Sequence, residues 1–128
     1  MRTLCQVFLA LLVVAMCGPH SALAQEAQVE STDIAMMRTL DRVSGRVEDL
    51  EMRVGQSYAI HGGHLSAVLM QCRYPADNPS GDAYAYVDVI DTVQGTSVFG
   101  GWMMASSPAL NALEDARYDL WPLRCKTS

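Results

Sequence analysis

The sequence predicts an all-β fold, or a mostly β one with a single short helix, built as one small antiparallel sandwich or barrel. Two patterns carry this expectation. From Ala83 to Ile90 the chain alternates Tyr84, Tyr86 and Asp88 against Ala85, Val87 and Val89, the period of a strand with one buried face. Elsewhere short apolar runs are separated by turn-forming stretches at Gly55, Gly62-Gly63, Pro75 to Asp82 and Asp91 to Gly95, a punctuation that suits strands better than helices.

Taken in order, residues 1–24 read as a secretory signal peptide. Arg2 supplies the positive start, and an uncharged apolar run from Val7 to Met16 follows. That run is too short to span a bilayer, which takes roughly 20 residues. Gly18 and Pro19 break it, and Ala22-Leu23-Ala24 places small residues before a cleavage expected after Ala24. Cys17 raises the alternative of a lipoprotein, but Met16 is too large for the position before a lipidated cysteine. The expectation is therefore an exported, periplasmic protein without a transmembrane span after cleavage.

Residues 25–128 then hold eight basic residues against all 14 acidic ones, a formal charge of −6. A surface so acidic repels phosphate backbones, which argues against nucleic acid as a partner. Cys5 and Cys17 fall within the signal, leaving Cys72 and Cys125. Outside the cytoplasm two thiols in a small domain usually pair, so a structural disulfide is expected; reactive pairs are more often spaced Cys-x-x-Cys.

The polar, acidic stretch 25–35 lacks an apolar period and reads as a flexible leader, with the β domain occupying 36–128. Residues 36–54 fork. Met36, Leu40, Val43, Val47, Leu50 and Val54 form a helical seam, yet Ser44-Gly45 interrupts it and a glycine costs a helix about 1 kcal/mol. A hairpin turning at Ser44-Gly45 fits equally well. Strands follow at Ser57 to Ile60, Leu65 to Tyr74, Ala83 to Ile90 and Thr96 to Met104, with Gly100-Gly101 marking a bulge or a close backbone approach. Ser107-Pro108 has the form of a helix start, predicting a short helix through Glu114. A last strand runs from Tyr118 to Cys125 across Pro122.

The segment Phe99-Gly100-Gly101-Trp102-Met103-Met104-Ala105-Ser106-Ser107-Pro108-Ala109-Leu110-Asn111-Ala112-Leu113-Glu114, continued by Tyr118-Asp119-Leu120-Trp121 and Cys125, resembles the C-terminal signature of the bacterial domain-of-unknown-function family 2155. Leu40-Asp41-Arg42-Val43-Ser44-Gly45-Arg46, Val54-Gly55-Gln56 and Cys72 are similar to its upstream elements, so the resemblance spans residues 36–125. It implies a small all-β domain with one helical turn, which favours the hairpin over 36–54. It implies no activity and no cofactor.

Candidate residues concentrate at Trp102, Ser106, Ser107, Asn111 and Trp121. Free backbone N–H groups at a strand-to-helix junction could receive an anion or a carbonyl oxygen, although helix capping by Ser106 or Ser107 explains the same residues. A serine nucleophile needs a base, and the histidine of the family pattern is Asp115 here, its following proline Ala116. His61 and His64 flank Gly62-Gly63 and suggest a metal, but two histidines in a glycine turn read more simply as exposed loop residues, so no metal is expected. Trp102 and Trp121 are expected in the core beside the disulfide, with an aromatic groove for glycan or peptide as the alternative. The expectation for function is a non-enzymatic structural or interaction module of the cell envelope, bound to an envelope protein or glycan. Two alternatives are a glycan- or peptide-binding module and a small serine-dependent hydrolase.

Overall fold

The computed structural model describes residues 27–127. The signal segment 1–24, with Cys5 and Cys17, and the first two residues of the expected leader lie outside the described residues. Eight strands follow: β1 (Val29–Thr32), β2 (Ile34–Asp41), β3 (Val47–Arg53), β4 (Ser57–Ile60), β5 (Leu65–Pro75), β6 (Tyr84–Asp91), β7 (Thr96–Met104) and β8 (Tyr118–Cys125). They form two antiparallel sheets. The large sheet has the order β1-β5-β6-β7, with β4 also beside β5, and the small one the order β3-β2-β8. Strand β5 is long enough that β4 pairs with its first residues and β1 with its last along the same edge.

The two sheets pack face to face around one core. The large sheet contributes Leu69, Val87, Val89 and Met103, the small sheet Met37, Met52 and Leu120, all essentially inaccessible. Each such side chain contributes roughly 1.5–3 kcal/mol of transfer free energy. The alternation read over 83–90 is realised, with Ala85, Val87 and Val89 inward. The hairpin over 36–54 is also realised. Gly45 takes φ 73° in its turn and its N–H donates to the Asp41 carbonyl at 2.7 Å, a conformation that favours glycine. In β2 it is Ala35, Met37, Thr39 and Asp41 that point inward, leaving Met36, Arg38 and Leu40 on the outer face.

Cys72 on β5 and Cys125 on β8 are bonded with their Cα atoms 5.8 Å apart, so the bridge ties the large sheet to the small one. Closing a loop with a sequence separation of 53 stabilises the fold by about 4 kcal/mol on the chain-entropy account. Pro122, which lacks an N–H, is accommodated because β8 is an edge strand, and the register skips Leu123 immediately after it.

Two expectations need correction, and a third is decided between its two alternatives. Val29–Thr32, inside the segment expected as a flexible leader, form β1. Its register with β5, a Tyr74 O–H donated to Glu30 at 2.8 Å and a Thr32 O–H donated to the Lys126 carbonyl at 2.8 Å need no apolar pattern. The short helix over 107–114 is replaced by a single turn, in which Leu110 N–H donates to the Ser107 carbonyl at 3.1 Å. The chain beyond it is drawn out by burial of Leu113 and by Asn111, whose side chain bonds to β7. The bulge of β7 falls at Val98 rather than at Gly100-Gly101. The glycine pair instead marks the close approach, since a Cβ on Gly101 would lie 3.0 Å from the Asn111 amide nitrogen.

Candidate functional site

Register places the outward side chains of the large sheet in rows. Gln71, Tyr86 and Trp102 stand opposite one another across β5, β6 and β7, and Arg73, Tyr84 and Met104 form the next row. Because Met103 and Val87 point into the core, Trp102 and Tyr86 point away from it. The two rings meet edge to face with centroids 5.3 Å apart, and the Arg73 guanidinium lies 5.2 Å from the centre of the Trp102 ring. Such contacts fix the orientation of large rigid rings at low entropic cost. Beside them Gly100 is approached by a carboxylate oxygen of Asp88, which would lie 3.2 Å from a Cβ at that position. Among the described residues the Gln71 amide, the Tyr86 hydroxyl and the Trp102 indole N–H have no hydrogen-bond partner.

The expectation that both tryptophans are core is thus corrected. Each is only half-buried, and they lie on opposite outer faces, since Trp121 pairs in register with Arg38 on the outside of the small sheet. The five candidate residues therefore divide: Trp102, Ser106, Ser107 and Asn111 belong to one end of the large sheet, and Trp121 to the far side of the molecule.

Ser106 and Asn111 have local work that accounts for them. The Ser106 hydroxyl donates to Asp82 Oδ2 at 2.6 Å and its backbone N–H to Oδ1 at 3.0 Å, fastening the end of β7 to the start of β6. Burial pushes the Asp82 carboxyl up, but the donors from Ser106 and Ala83 outweigh it and hold the group below its usual range. The Asn111 side-chain amide donates to the Trp102 carbonyl at 2.8 Å, capping the free edge of β7. The Ser107 carbonyl closes the turn described above. The serine's hydroxyl donates its hydrogen bond to a carboxylate rather than to an imidazole base, so the arrangement braces a strand end.

At the opposite end of the sandwich four loops converge, and this cluster was not foreseen. Asp41 is buried, 6 % exposed, and its carboxylate accepts both Nε and Nη2 of Arg117, at 3.0 and 2.8 Å. The Arg117 guanidinium holds the Asp41 carboxyl well below the usual carboxylate range. The partners are 76 residues apart, and a polar residue in a strand reads as outward, so no local pattern announces the pair. Arg117 also lies over the Tyr118 ring, on which His61 stacks with centroids 5.3 Å apart. His61, expected exposed, has a side chain only 4 % accessible, a φ of 42° and an Nε2 without a partner. His64 is exposed. Among the described residues no group of three or more His, Cys, Asp or Glu side chains converges as metal ligands would.

Among the described residues no helix is long and apolar enough to cross a membrane. Neither the curated proteins nor the solved structures contain a match to this chain. A family model described as "Uncharacterized protein conserved in bacteria (DUF2155)" matches residues 35–125, in agreement with the resemblance carried by the glycine-tryptophan signature, and the chain belongs to that bacterial family.

Proposed function

We propose that this chain is an exported, periplasmic protein whose mature domain acts without catalysis, as an interaction module of the cell envelope. The signal read over residues 1–24, with cleavage after Ala24, supports export. The bond between Cys72 and Cys125 is compatible with an oxidising compartment. One observation carries the interaction reading: Trp102, Tyr86 and Arg73 stand in contact on the outer face of a sheet, each half-buried. Half-buried aromatic and arginine side chains on an outer face are the residue types that anchor interfaces. The alternative, a module for envelope glycan or peptide, draws on the same face. The serine-hydrolase alternative draws no support from Ser106, whose hydroxyl is bound to Asp82.

The test is to express the full sequence with a C-terminal tag, fractionate the cells, determine the N-terminal residue and identify crosslinked neighbours by mass spectrometry. The expected result is a periplasmic chain beginning at Gln25 with crosslinked neighbours in the envelope. A chain retained in the cytoplasm with its first 24 residues intact would sink the reading.

A further inference from the structure

We infer that the outer face of the large sheet is a saccharide platform whose ligand is a glycan bearing carboxylate groups, an inference that rests on the interaction reading above and names its ligand. The row Gln71–Tyr86–Trp102 crosses three strands. With strands about 4.8 Å apart it extends about 10 Å, the length of two linked hexose rings. Sugar rings have an apolar C–H face and a hydroxyl rim. Because the two rings stand perpendicular, a single ring receives the apolar face of one sugar, and the Gln71 amide, Tyr86 hydroxyl and Trp102 N–H match the rim. The exposed Asp88 carboxylate, close against Gly100, adds an acceptor for hydroxyl donors.

Charge selects within the glycans. Arg38, Arg42, Arg46, Arg53, Arg117 and Lys126 each have a carboxylate within ion-pair distance. Arg73 and Arg124 have none among the described residues, and of the two it is Arg73 that lies against an aromatic ring, that of Trp102. A positioned guanidinium with free donors is the complement of a carboxylate. An extended peptide suits this site less well. Peptide strands add along a sheet edge, and at Trp102 the free edge of β7 is occupied by the Asn111 amide, so what remains open is the face.

The experiment uses protein purified from cells expressing the full sequence and titrates it with an oligosaccharide alternating N-acetylhexosamine and uronic acid, and with its carboxyl-reduced counterpart. Binding is read by calorimetry and by the indole N–H resonances. The carboxylated chain should bind saturably and shift the Trp102 resonance while leaving Trp121 unmoved. Arg73→Gln should weaken that binding about tenfold or more and leave the reduced chain's affinity unchanged. Tyr86→Phe, which keeps the ring and the fold, should weaken both ligands. Equal affinity for the two oligosaccharides overturns the carboxylate assignment. Failure of both to bind, while in-cell crosslinks from this face reach only polypeptide, overturns the glycan inference and leaves the interaction reading intact. Failure of both, with no crosslinks from this face, overturns the two together.

Discussion

Trp102 and Trp121 occupy equivalent positions on the outer faces of the two sheets, each half-buried, yet their surroundings differ in kind. On the small sheet the charges near Trp121 satisfy one another: Arg38 binds Asp49 through two hydrogen bonds of 2.6 and 2.9 Å, and Lys126 reaches Glu51 at 2.7 Å. On the large sheet Arg73 lies against Trp102 with no carboxylate of its own, and neighbouring polar tips are unmatched. Availability of a surface therefore depends less on an exposed tryptophan than on whether its polar neighbours are already paired. Among the described residues ion pairs gather on the small sheet, with its Arg124 the exception, and none lies on the outer face of the large sheet.

The largest expected effect tests whether the two faces belong to one cooperative unit. Replacing both Cys72 and Cys125 by serine removes the link between sheets and should cost about 4 kcal/mol in denaturant unfolding. A loss below about 1 kcal/mol would mean that the core alone couples the sheets.

Acid should separate the sheets next. Asp41, Asp49 and Glu51, all on β2 and β3, have carboxyl groups held below their usual range by Arg117, Arg38 and Lys126 respectively, against Asp82 alone among the described residues, just before β6, in the large sheet. Groups whose folded pKa is depressed stabilise the fold above their unfolded pKa of about 4, and that contribution disappears as pH falls through the folded values. Amide exchange in the small sheet should therefore quicken below about pH 4 before that in β5 and β6. Asp41→Asn should remove part of this acid dependence and lower Tm at neutral pH. Uniform exchange in both sheets as pH falls would break the proposed asymmetry.

A smaller effect concerns the edge of the open face. Asn111→Ala removes the amide from the Trp102 carbonyl and should cost about 1 kcal/mol while shifting the Trp102 indole resonance. No shift there would show that Asn111 does not hold β7. The smallest expected effect on stability is that of Tyr86→Phe, within about 0.5 kcal/mol because the hydroxyl has no partner among the described residues. A larger loss on thermal unfolding would reveal a contact that closes the face.

The readable and unreadable parts of this fold separate on physical grounds. Strand β6 was legible because every second residue enters the core; the hairpin was not, because a helical seam and a turn at Ser44-Gly45 read equally well there until the family resemblance favoured the turn. Strand β7 was legible as a strand but not in its facing. Val98 is a bulge and Gly100-Gly101 offer no side chains, so no alternation says whether Trp102 or Met103 turns inward. The register with Tyr86 decides it, and register is a long-range property. Strand β1 escaped because an edge strand can be held by backbone pairing with polar side chains. Ser106, expected at a strand-to-helix junction, bonds instead to Asp82, 24 residues upstream, a partner no local pattern announces.

The central claim is that the open face of the large sheet is where this protein meets its envelope partner. Its most direct test is photo-crosslinking in living cells from a diazirine-bearing residue placed at position 86 or, separately, at position 121. Adducts from 86 and none from 121 are expected. Adducts from 121 alone, or equal yields from both, would contradict it.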